Sequence, residues 1–141
     1  MQMYWPIALV VLSNVFYHIS SKQMPEKIHP MASLTITYIV GAILAALMYF
    51  VMNKDGNLLS EYRHLNWTSF VLGLAIVGLE FGFISMYKAG WNINSAQIIS
   101  SAILAIALLV VGLFLYKEQI TPNKVFGVII CLVGIYLMNS K

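Results

Sequence analysis

Hydrophobic residues fall into five long blocks broken by polar segments, and each block is about as long as a helix needs to cross a hydrocarbon core of about 30 Å. The blocks run from Tyr4 to Ser21, Pro30 to Met52, Trp67 to Lys88, Asn94 to Tyr116 and Pro122 to Asn139. This pattern predicts an all-α polytopic membrane protein with five transmembrane helices. Pro30 and Pro122 open their blocks at first-turn positions, where a missing N–H is harmless. Trp5, Trp67, Trp91, Tyr49, Tyr116 and Tyr136 stand at or beside block ends, where aromatic rings meet headgroups. Three short connections make sequential helices expected antiparallel neighbours. In the longer linker, Asn53 to Asn66, Leu58, Leu59, Tyr62 and Leu65 recur at helical spacing; the segment is read as plain linker, with one or two interfacial turns as the alternative. Asn66, Trp67 and Thr68 form a glycosylation sequon, attributed here to chance because it abuts the membrane boundary. The first block has no basic residue before its apolar part and no small-x-small cleavage site, so it reads as an anchor and not a signal peptide.

Composition narrows the class. Of 141 residues 60% are hydrophobic and 9% charged, with a mean hydropathy of +0.83, and no soluble domain of this size has interior enough for that. A single membrane domain over residues 1–141 is expected, embedded in the lipid bilayer of a bacterial or archaeal cell. Cys131 is the only cysteine, so no intramolecular disulfide can form. The net charge of +3 is spread singly over the connections, which gives nucleic-acid binding no support. No second carboxylate at depth, metal-ligand cluster or activated nucleophile accompanies Glu80, so neither an enzyme nor a metal or other cofactor is expected.

The basic residues also bear on topology. With five passes, Lys54, Arg63, Lys117 and Lys124 lie on one side and Lys22, Lys27, Lys88 and Lys141 on the other. Orientation normally follows an excess of Lys and Arg on the cytoplasmic side. An even split leaves two outcomes: a few dominant charges decide, or the chain inserts both ways. Two oppositely inserted copies of an odd-pass chain would form the inverted repeat on which many transporters are built.

Glu80 is the one acidic residue deep inside a block, 13 residues from Trp67 and flanked by Val77, Gly78, Leu79, Phe81, Gly82 and Phe83. A charge near the bilayer centre costs about 2.5 to 3.5 kcal/mol on insertion scales, so such a residue is neutral, partnered or facing a wet cavity. It either locks the bundle as a neutral hydrogen-bonding group or serves proton coupling or solute binding. Counting from one membrane face, His18 lies 14 residues beyond Tyr4, Tyr38 14 before Met52 and Ser101 15 before Tyr116. At about 1.5 Å per residue these share a layer with Glu80 about 20 to 22 Å deep. Asn14, His18 and Ser21 form a polar stripe on the first block, and Asn94, Gln97 and Ser101 another on the fourth. Singly, such groups are interhelical glue worth about 0.6 kcal/mol each; together around one ionisable residue they predict a cavity. The expected coupling or binding residues are Glu80, His18, Asn14, Tyr38, Gln97 and Ser101, whereas Lys22 is read as snorkelling to the interface. Gly127, Cys131 and Gly134 on the last block, and Thr37, Gly41 and Ala45 on the second, are expected to mark helix or dimer packing. Gly73, Gly78 and Gly82 loosen the helix that carries Glu80.

The stretch LYKEQITPNKVFGVIICLVGIYLM, Leu115 to Met138, resembles the end of an EamA domain of the drug/metabolite transporter superfamily. There a Glu closes the fourth helix, a Thr follows in the turn and two glycines recur along the fifth, the positions of Glu118, Thr121, Gly127 and Gly134 here. Lys117 stands where the family usually has Gly, and the proline common inside the fourth helix is absent. The five-pass layout equals one EamA domain, of which full-length members carry two in inverted orientation. Tyr4 to Lys22 with the loop and pass that follow is also similar to the start of small multidrug resistance proteins, antiparallel dimers of four-pass chains. That likeness implies a coupling Glu in the first helix, but Asn14 stands there, which leaves Glu80 as the replacement. The resemblances imply a half-size secondary transporter of a small organic solute, acting as a homodimer or with a homologous half. The alternative is a non-transporting small membrane subunit or scaffold of a larger complex, such as a lipid flippase.

Overall fold

A computed structural model describes residues 4–54, 56–117 and 121–139, the side chains of Lys124, Met138 and Asn139 excepted. The described elements are helical: α1 (Trp5–Lys22), α2 (Pro30–Met52), the one-turn α3 (Leu58–Glu61) continued by a 3-10 turn (Tyr62–His64), α4 (Trp67–Lys88), α5 (Ile93–Phe114) and α6 (Pro122–Asn139). Each long helix meets its predicted block to within two residues. The Leu58 to Leu65 segment forms helical turns, which corrects its reading as plain linker: Asn57 caps the first turn and the apolar spacing is helical. Three helices, α2, α4 and α5, are long and apolar enough to cross a bilayer. α1 and α6 have 18 residues each; polar residues crowd the second half of α1, and the apolar stretch described in α6 is Val125–Leu137.

Local chemistry sets the ends. His29 caps α2 through Nδ1, which accepts from the Met31 N–H, and Pro30 follows at the first helical position. Asn57 caps α3 by accepting from the Leu59 and Ser60 N–H groups. Asn66 accepts from the Thr68 N–H and hydroxyl, so the sequon residues are a helix cap. Gly90, at φ 92°, takes the left-handed turn that closes α4. Lys117 adopts φ 52° beyond the end of α5, so the position where the resemblance expects Gly has the backbone that favours Gly. Glu118 lies outside the described residues.

The chain divides into two compact units at Ala89 and Gly90. In the first, α4 is the element on which both α1 and α2 pack. Sequential helices were expected to be neighbours; α1 and α2 share a cavity, but each packs more closely on α4, which arrives later in the sequence. Lys88, in the last turn of α4, fixes this arrangement by donating from Nζ to the carbonyls of Glu26, at 3.1 Å, and Ile28, at 2.5 Å, in the α1–α2 loop. The second unit is the α5–α6 pair.

Few of the described residues are buried: Leu34, Ile84, Tyr87, His18 and Ser21 in the first unit, and Ala96 and Gly112 in the second. Most Leu, Ile, Val and Phe residues face outward. In water that would be untenable. In lipid it is the expected surface, since acyl chains are as apolar as leucine and the helices gain nothing by hiding apolar area from them.

Candidate solute cavity

Within the first unit, α1, the α1–α2 loop, α2 and α4 surround a cavity of about 510 Å³. α1 contributes Ser13, Phe16, Tyr17, Ser20 and Ser21; α2 contributes Ser33, Leu34 and Thr37; α4 contributes Glu80 and Ile84. The floor is the loop, through Gln23, Met24 and Pro25. Ser13, Tyr17 and Ser20, at intervals of four and three on α1, and Ser33 with Thr37 on α2, lie on one face of each helix. The Thr37 hydroxyl donates to the Ser33 carbonyl at 3.2 Å, which leaves its oxygen lone pairs as acceptors.

Glu80 is partly buried, and its carboxylate interacts electrostatically with the hydroxyls of Tyr17 and Tyr38. Both phenolic oxygens are buried without a well-formed hydrogen bond, although Ser21 lies near that of Tyr17. Among the described residues Glu80 makes no hydrogen bond or ion pair. A carboxylate so placed lines the cavity without a hydrogen-bonding group of the bundle to satisfy it.

His18 lies beside this cavity in an aromatic cluster. Its Nδ1 is 2.7 Å from the Tyr87 hydroxyl, and its ring meets Tyr17 and Phe83 edge-on at 4.9 Å each. Lys22 stands 5.7 Å over the Tyr87 ring. His18 is thus a packed element that couples α1 to α4. Asn14 is exposed and donates from its amide to the Val10 carbonyl at 3.0 Å, satisfying itself on its own helix.

The residues Gln97 and Ser101 belong to the second unit and line a groove of about 820 Å³ between α5 and α6. There the Gln97 amide donates to the Ser101 hydroxyl at 3.1 Å. Gly127, Cys131 and Gly134 line the opposite side, and a Cβ added at either glycine meets no atom within 4 Å.

Of the expected layer, the first unit brings together Glu80 and Tyr38, with His18 beside them. It adds residues that the sequence reading missed: Ser13, Tyr17, Ser20 and Ser33, and Thr37 in a polar role. Their spacing on α1 was available, one residue out of register with the stripe of Asn14 and His18.

With its described elements all helical and three of them long and apolar enough to cross a bilayer, the chain is an integral membrane protein, and Glu80 lines a cavity in its first unit. The chain belongs to the EamA-like transporter family, whose model matches residues 2–140. Searches of curated proteins and of solved structures returned no match. Its family is one of membrane transporters of small solutes, so a small-molecule solute and the surrounding lipid are its partners.

Proposed function

We propose that the chain supplies one five-helix half of a secondary transporter for a small organic solute, with α1 and α6 completing the passes begun by α2, α4 and α5. The cavity around Glu80 is the solute site in this reading. The half works beside a second copy, or a homologous half, in opposite orientation, and rocking of one against the other exposes the site alternately. Glu80 carries the coupling proton: it binds solute when ionised and releases it when protonated.

The single observation that supports this reading most is the position of Glu80 on a hydroxyl-lined wall with no ion pair among the described residues. A structural glutamate would be tied to another helix, because an unsatisfied polar group in hydrocarbon costs several kcal/mol. One lining a wet cavity needs no such tie.

Flux into proteoliposomes under an imposed pH gradient tests the reading. Glu80→Gln preserves shape and hydrogen bonding but removes titration, so it is expected to fold and to abolish pH-driven flux. Unchanged flux in that variant rules out the coupling role.

A further inference from the structure

The chemistry of the cavity wall selects among the solutes a transporter can carry, and resting on the reading of Glu80 as the solute site, we infer that the ligand is a hydroxylated primary amine bound as its ammonium ion. Three observations carry this. The first is charge. The lining holds one carboxylate and no Lys, Arg or His. The basic groups nearby are engaged: Lys88 by the carbonyls of Glu26 and Ile28, Lys22 against the Tyr87 ring, and His18 by the Tyr87 hydroxyl. A ligand carboxylate or phosphate entering this unit would meet Glu80 and no counter-charge. Zwitterionic amino acids and organic anions are therefore disfavoured.

The second observation is the kind of polarity around that carboxylate. Ser13, Ser20, Ser33 and Thr37 line the cavity; Thr37 returns its proton to the Ser33 carbonyl, and every hydroxyl oxygen keeps lone pairs that can accept. The wall therefore offers acceptors around the carboxylate, which suits a ligand with several N–H donors. A primary ammonium has three donors to share between Glu80 and these oxygens. A quaternary ammonium has none and would leave the acceptors dry and unpaired.

The third is that the Ser13, Ser20 and Ser33 side chains on this wall make no hydrogen bond among the described residues. Their protons can be given to a ligand oxygen, so a hydroxyl on the ligand is accommodated as well. The volume of about 510 Å³ lies within the range of about 300 to 1,000 Å³ usual for small-molecule sites. It holds a sugar-sized molecule with water, more than a two-carbon amine fills.

Four probes on one sugar frame that differ in one group separate the alternatives: glucosamine, N-acetylglucosamine, which loses the charge, 2-amino-2-deoxyglucuronic acid, in which a carboxylate replaces the C6 hydroxymethyl, and N,N,N-trimethylglucosaminium, which loses every ammonium N–H. Calorimetric binding to the purified protein in detergent at neutral pH is expected to rank glucosamine at least about tenfold tighter than the other three, the factor worth 1.4 kcal/mol. Glu80→Gln should weaken glucosamine at least about tenfold, and the near-isosteric Thr37→Val should weaken it several-fold while leaving the helical content and unfolding temperature in place. Equal or tighter binding of any of the other three overturns the proposal, as does absence of glucosamine binding by protein whose pH-driven flux of another solute is intact. Ranked binding as expected, with no pH-driven glucosamine flux, upholds the ligand class and removes the coupled-transport reading beneath it.

Discussion

The two units enclose spaces of different character although both are built from apolar helices. The α5–α6 groove is the larger, about 820 Å³ against about 510 Å³. Yet its polar groups, Gln97 and Ser101, are hydrogen-bonded to each other on one helix. The smaller space holds Glu80 and a set of hydroxyls without mutual satisfaction. Size alone does not make a binding site in lipid, where any apolar groove can be filled by acyl chain. Polarity that the fold leaves unspent does, because it must be met by water or a ligand.

The largest effect that separates the units is on transport. Glu80→Gln should reduce pH-driven flux to the background of empty vesicles. Gln97→Leu should lower it by less than about tenfold, since losing one hydrogen bond costs about 1 kcal/mol. Flux measured for both variants at matched protein density decides the matter; an equal loss in both would place solute chemistry in the second unit as well.

The next effect is on stability, and it concerns the cluster beside the cavity. Tyr87→Phe leaves Nδ1 of a buried His18 without its 2.7 Å partner. Intramembrane hydrogen bonds average about 0.6 kcal/mol and reach about 1.7, and this one sits at the upper end because both rings are buried. A loss of about 1 to 2 kcal/mol in detergent unfolding is expected. Ser101→Ala, which removes a bond internal to α5, should cost less than about 0.5 kcal/mol. Similar losses in the two variants would show that the His18–Tyr87 pair has no special weight.

These contrasts also show which parts of the architecture the chain displays openly. The ends of the long helices were readable because polar punctuation acts locally: Asn66 caps where it stands, and Pro30 starts α2 wherever the helix goes. Glu80 was readable because no other carboxylate lies so deep in an apolar run. The rotation of α1 was not. Asn14, His18 and Ser21 form one stripe and Ser13, Tyr17 and Ser20 another, a single residue, or about 100°, apart at 3.6 residues per turn. What chooses between them lies outside α1: Tyr87 of α4 claims His18, and Asn14 is released by its bond to the Val10 carbonyl. Likewise the division after Ala89 depends on which helices pack together, a property that no single block carries.

A smaller effect is expected where α5 ends. Lys117 sits at φ 52°, a conformation that costs an L-residue about 1 to 2 kcal/mol. Glycine pays no such steric cost but loses more backbone entropy, roughly 0.5 to 1 kcal/mol. Lys117→Gly should therefore raise the unfolding free energy by up to about 1 kcal/mol, read from denaturant titration of the purified protein. A destabilised variant would mean that the lysine side chain contributes more than the backbone relief.

The smallest effect tests whether the groove of the second unit is open, as its geometry indicates. A Cβ at Gly127 meets no atom within 4 Å, so Gly127→Ala should change stability by less than about 0.5 kcal/mol, the range of substitutions that touch nothing. Small residues on a membrane helix usually permit the close approach of another helix, and Gly127, Cys131 and Gly134 share the α6 side of this groove. If a second copy lays a helix there in the bilayer, the added methyl would obstruct it, and the larger Gly127→Leu would obstruct it further. Unfolding of each variant in lipid, with the dimer fraction read from single-molecule photobleaching, separates the cases. Unchanged stability and assembly uphold an open groove. A loss above about 1 kcal/mol with a falling dimer fraction would show that the second unit is the interface between copies, and that its empty space is where the partner helix belongs.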